Sequence, residues 1–183
     1  MLIGKIDLRK SRNRVDSGKG FYLTDKLGTA LSWAIRKVDL EGEGIPTVLG
    51  YEVNTDIFTL QGLRFPTTPD IEWLEFICSN RHLRPNSENM NEPRHDYNWV
   101  SGPIADDKVV DVVAEYMRAE IAAEVAVTHL RVLPQTYQFS LHTLAATNFV
   151  DEENVSYKQL KNGLWTQVWI KRKYESIEVV LQG

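Results

Sequence analysis

Gly18-Lys19-Gly20-Phe21-Tyr22 is the stretch of this chain best suited to hold a ligand. Two glycines remove side-chain bulk, so backbone can come close to a bound group, and two aromatics follow at once. The pattern has two readings: a nucleotide-binding turn, or a tight turn feeding a core helix. The usual nucleotide fingerprints fail. Leu23 stands where a dinucleotide loop needs its third glycine, and no GxxxxGK loop occurs. Asn80 and Arg81 close a second helical stretch and could face a ligand, the arginine as partner of a phosphate or acidic substrate. The competing reading makes them capping and surface residues. His95 and Asp96 end a long polar loop, where a proton acceptor for an incoming nucleophile could stand; a solvated loop pair is the alternative. His82, His95, His129 and His142 are scattered and Cys78 stands alone, so no zinc spacing arises and no metal is expected. No serine or cysteine sits in a nucleophile-elbow context.

These residues need elements to position them. Leu27, Ala30, Leu31, Ala34, Ile35 and Val38 recur at helical spacing with Trp33 on the flank, and Asp25 is a candidate cap. Gly42 and Gly44 are expected to end that helix. "TVLGYEV" and "DIFTL" read as short strands, "DIEWLEFICSNRHL" as a short helix, and residues 85–96 as a polar surface loop. "YNWVSGPIAD" begins as a strand, with its Gly-Pro turn leading to a helix capped by Asp106. The segment from Asp107 to Leu133 is helical in period and is expected to break near Ala119. "TYQFSLHT" alternates like a strand, "TLAATNFV" is helical, and Leu164, Thr166, Val168 and Ile170 alternate again.

The chain has 183 residues, enough for one domain with a real core and short for two. Its net charge of -4 argues against a dedicated nucleic-acid binder. The first nineteen residues differ: Lys5, Arg9, Lys10, Arg12, Arg14 and Lys19 face only Asp7 and Asp16. That segment is either a solvated arm or a basic lip that attracts a phosphate-bearing ligand. Cys78 lies among apolar residues and reads as a small buried side chain. A lone cysteine and the lack of a signal-peptide core or membrane-length apolar run make the cytoplasm the expected compartment.

The segment "GKGFYLTDKLGTALSWA" resembles the second signature element of ADP-ribosyltransferases of the poly(ADP-ribose)-polymerase-like branch. With "EWLEFICSNR", "HDYNWVSGPIADD" and "YQFSLHT" following in order, residues 3–150 resemble a bacterial family that looks like ADP-ribosyltransferase toxins, often encoded beside a small antitoxin-like protein. The resemblance implies an α+β fold, a split antiparallel sheet flanked by helices, over residues 1–150, with 151–183 as a strand-forming extension. Its terminal "VVLQG" resembles a 3C-like protease cut site, so the tail is expected to be in part an expression remnant. It also implies NAD as substrate, bound over Gly18, Gly20, Phe21 and Tyr22, with Tyr22 stacked on the nicotinamide ring. Asn80 and Arg81 would join that site, and His95 and Asp96 would lie on the acceptor side. The partners implied are a macromolecular acceptor, protein or nucleic acid, and a small antitoxin protein, with no membrane.

Gln138 falls where the family places a third catalytic side chain, often Glu, that holds the nicotinamide ribose. A glutamine can bond a ribose hydroxyl but brings no negative charge to a developing cation, so mono-transfer or NAD hydrolysis is expected rather than polymerisation. The family's first strand, bearing Tyr-His-Gly, has no counterpart, since no histidine precedes Tyr22. The expectation is therefore a weak or inactive chain. The alternative is a non-catalytic nucleotide-binding or antitoxin-interaction module on the same fold, and a weaker one an unrelated α/β fold.

Overall fold

The computed structural model describes residues 5–11, 15–81, 95–105, 107–133, 136–171 and 177–180. Within them the fold is α+β, with two four-stranded sheets. In chain order the elements are β1 (Phe21–Leu23), α1 (Leu27–Glu41), β2 (Thr47–Val53), β3 (Gly62–Arg64), α2 (Ile71–Arg81), β4 (Trp99–Pro103) and α3 (Asp107–Met117). They continue as α4 (Ala123–Arg131), β5 (Tyr137–Leu141), α5 (Leu144–Thr147), β6 (Val150–Lys161), β7 (Leu164–Lys171) and β8 (Ile177–Val180). Two compact units emerge, one of residues 1–6, 26–57 and 147–183, the other of 7–25 and 58–146.

The second unit is built on a sheet ordered β1-β5-β4-β3, antiparallel except for the parallel β3–β4 pair. Three helices complete its core. Trp73, Leu74, Ile77 and Cys78 of α2 repeat at helical spacing and are buried, as are Val109 and Val113 of α3 and Ala126, Val127 and Leu130 of α4. Val100 of β4 and Phe65 supply the sheet side of this cluster. Asp70 starts α2 by accepting from the Trp73 N–H at 2.8 Å. The break expected near Ala119 is present: Ala119 takes φ 58 between α3 and α4. The proposed cap Asp106 and residues 85–94 of the polar loop lie outside the described residues.

The first unit has the antiparallel sheet β2-β6-β7-β8. The long β6–β7 hairpin turns on Asn162-Gly163, whose φ values of 51 and 78 suit the right-handed twist of its strands. Thus β6 and β7, which include most of residues 151–183, share a sheet with β2. Helix α1 ends at Gly42 as expected, with φ 74 and its N–H on the Val38 carbonyl.

Three local expectations are corrected here. Gly102-Pro103, expected as a turn, lies within β4, paired with Gln138 and Tyr137 of β5. The cap position of α1 is Lys26, not Asp25, and no side chain makes a capping hydrogen bond there. "DIFTL" is not a strand; Thr55–Thr59 is a 3-10 turn. Asn54 explains the turn, since its side chain accepts from Asp56 N at 2.9 Å and its carbonyl from Ile57 N at 3.1 Å. These local bonds outweigh the strand preference of Ile57 and Phe58.

Candidate functional site

Strand pairing brings the predicted residues together within the second unit. Tyr22 on β1 pairs with Ser140 on β5, which pairs with Val100 on β4. Gln138 lies two residues before Ser140 and so shares its sheet face with Tyr22. Phe21 alternates to the opposite face.

The turn before β1 is gripped carbonyl by carbonyl. His95 Nε2 lies 2.9 Å from the Ser17 oxygen, the Tyr22 hydroxyl donates to Gly18 at 2.5 Å, and His142 Nδ1 lies 2.9 Å from the Lys19 oxygen. Carbonyls only accept, so each of these ring nitrogens carries its proton. The N–H groups of the turn are also used. Ser17 donates to the Tyr22 oxygen at 3.1 Å, Gly18 to Val15 at 2.9 Å and Gly20 to the Ser11 hydroxyl at 2.9 Å. These three donors are therefore spent within the protein and are not free to converge on a phosphate.

A second knot ties the turn to α2 and β5. Asp16 Oδ1 accepts from Arg81 through Nε at 2.9 Å and also through Nη2. Its Oδ2 accepts from the Ala105 N–H at 2.9 Å and from Gln138 Nε2 at 3.2 Å. Arg81 Nη2 donates further to the Ala105 carbonyl at 3.1 Å. Asp16 and Gln138 are both buried. Arg81 therefore spends its fork on Asp16 and Ala105.

Asn80 differs from its neighbour. Its Nδ2 donates to the Phe76 carbonyl at 2.9 Å, and its buried Oδ1 has no hydrogen-bond partner among the described residues. A β-carbon on Gly18, whose φ is 76, would come within 3.1 Å of that oxygen. Glycine is needed there both for the left-handed backbone and for the room. A buried acceptor left unpaired costs about 1–3 kcal/mol.

Electrostatics set what these groups can do. The Tyr22 phenol is held well above its ordinary pKa, first by burial and then by the Asp16 carboxylate, so it remains a donor. Burial lowers the His142 pKa to about 4; the Lys19 carbonyl opposes this and nearby His95 adds to it. Neutral His142 meets His95 edge to face at 4.6 Å between centroids and Tyr22 at 6.4 Å. Ser140 Oγ lies 2.9 Å from His142 Nε2 and 3.1 Å from the Val100 carbonyl, so its single proton has two acceptors. His95 Nδ1 accepts from Tyr97 N at 3.3 Å, which occupies the nitrogen a general base would need. Asp96 is exposed. Burial also pushes the Cys78 thiol up to about 11, as suits a packing residue.

Asp16, Ser140 and His142 carry this arrangement and were not singled out by sequence. Asp16 stands two residues before the first glycine of the turn, and His142 directly follows β5; those positions are the only sequence signal. The basic lip is partly neutralised: Arg9 forms a two-pronged bond with Asp7, at 2.9 and 3.0 Å. Arg12 and Arg14 lie outside the described residues. Among the described residues there is no group of three metal-ligating side chains, and no helix long and apolar enough to cross a membrane. No curated protein and no solved structure matches the chain. The model of one family, described as "Protein of unknown function (DUF3990)", matches residues 1–151, and the chain belongs to that family.

Proposed function

We propose that this chain is an NAD-binding domain of the ADP-ribosyltransferase type, acting as a mono-ADP-ribosyltransferase or NAD hydrolase. The observation that carries the reading is the juxtaposition of Tyr22 and Gln138, from two paired strands, on one sheet face beside the glycine turn. Tyr22 would offer its ring to the nicotinamide, and Gln138 would offer Oε1, which takes no hydrogen bond among the described residues, to a ribose hydroxyl. The residues fit such a ligand in kind, since one flat ring and one oriented acceptor stand together.

A second reading, a nucleotide-binding module without turnover, has its own support. Residue 138 brings no charge, and the Tyr22 hydroxyl and both His95 nitrogens are already hydrogen-bonded within the protein.

Thermal melting with and without NAD tests the shared claim. NAD should raise the melting temperature of the wild type, because a ligand that binds only the folded state stabilises it. In Tyr22→Leu the rise should vanish. No rise in the wild type would overturn the enzyme reading and any module reading in which the nucleotide is NAD. Release of free nicotinamide then separates them: turnover selects the enzyme, and binding without release selects the module.

A further inference from the structure

We infer that Asp16 is a positioning residue for Gln138, fixing the amide so that its carbonyl oxygen alone is offered to a ligand. A carboxylate can only accept hydrogen bonds, so the 3.2 Å contact from Asp16 Oδ2 must be met by the nitrogen of the amide. That leaves Oε1, which takes no hydrogen bond among the described residues. Asp16 is itself immobilised by Arg81 from α2 and by the Ala105 N–H. The order of control runs from Arg81 to Asp16 to Gln138. The outcome is a site that reads hydrogen-bond donors, such as the hydroxyls of a sugar.

The pairing also accounts for glutamine where the resemblance expects glutamate. A carboxylate at 138 would stand against Asp16 Oδ2, and two like charges at that distance do not both ionise freely. The negative charge of this site sits on the turn, and residue 138 must be a donor toward it. The identity of the donor as an NAD ribose rests on the function proposed above; the positioning of the amide does not.

Gln138→Glu tests this because two expectations differ in sign. If Asp16 positions residue 138, the introduced carboxyl mimics glutamine only while protonated, donating its proton to Asp16 and leaving its carbonyl oxygen free. Without ligand, the melting temperature of Gln138→Glu should then fall further below wild type as pH rises from 5.5 to 8. The other titratable or charged groups near this pair are Arg81 from α2, Tyr22 from β1, and His95 and His142 against the turn. They are common to both proteins, so the difference isolates residue 138. A gap that stays constant or narrows overturns the inference whatever NAD does.

With NAD as the probe, the affinity of the variant should lie within about threefold of wild type at pH 5.5 and be weaker by about tenfold or more at pH 8. Tighter NAD binding by the variant at pH 8 would also overturn it, since an ionised carboxylate would then be the preferred group. If wild type binds no NAD but the pH-dependent gap is present, the positioning stands and the NAD reading falls.

Discussion

In the unit of residues 7–25 and 58–146, three helices bury large side chains against one sheet face; Trp73, Leu74, Ile77 and Leu130 are all 1% exposed or less. In the unit of residues 1–6, 26–57 and 147–183, α1 buries no residue, and Leu27, Trp33, Ile35 and Leu40 along it are exposed. The groups able to do chemistry follow the same division. Asp16, Tyr22, Arg81, Gln138 and His142 all lie in the unit with the dense core. Burial strengthens polar contacts and makes their loss costly, so a site that depends on orientation gains from a tightly packed frame. The first unit is instead held by long backbone ladders, chiefly β2–β6 and β6–β7.

The largest expected difference is between Leu74→Ala and Leu31→Ala. Leu74 has no exposed surface, and its truncation should cost about 3–5 kcal/mol, whereas half-buried Leu31 on α1 should cost about 1 kcal/mol. Urea unfolding of both variants measures the gap, and equal losses would refute the contrast. The next effect is one of pH. His142 has a folded pKa of about 4 against an ordinary 6.5, so between these values the unfolded chain binds more protons than the folded one. Stability is then lost as pH falls from 6.5 toward 4, by about 2–3 kcal/mol at the acid end. The difference in unfolding free energy between wild type and His142→Asn should shrink by that amount on acidification. A constant difference would mean that His142 is not held neutral.

The sequence revealed the dense unit more readily than the other. Apolar spacing in α2, α3 and α4 marks the faces that are buried, and "YQFSL" is legible as the strand β5, although its burial falls on Gln138, Ser140 and Leu141 while Tyr137 and Phe139 are half-buried. Strand β6 was harder to foresee. "VDEENVSYKQLK" is rich in charged residues and sets only Val150 and Val155 in the interior, so its apolar alternation is weak. The Asn162-Gly163 pair that closes its hairpin was the available signal. At the candidate site, Tyr22 and Gln138 could be nominated from their segments, but the link between them could not. Pairing of β1 with β5 sets them on one face, and Asp16 ties Gln138 to the turn; its partners Arg81, Ala105 and Gln138 are remote in sequence, and no local pattern encodes a contact made by tertiary folding.

The smallest predicted effects come from two glycines that occupy opposite environments. A β-carbon on Gly20 would lie 2.7 Å from His142 Nδ1 and 2.8 Å from the Leu141 carbonyl oxygen. The ring could rotate away only by giving up Lys19, and the carbonyl belongs to the β5 backbone, so Gly20→Ala should destabilise by about 1–3 kcal/mol. Gly28, in the first turn of α1, has no atom within 4 Å of the same position. Alanine there narrows the freedom of the unfolded chain without a clash, so Gly28→Ala should stabilise by about 0.5 kcal/mol. Paired urea titrations would read a change of opposite sign for the same added methyl group. The Gly20 variant should also lose any NAD-dependent stabilisation, because the displaced ring is one of the three that hold the turn beneath Tyr22. A Gly20→Ala protein as stable as wild type would show that His142 does not constrain the turn.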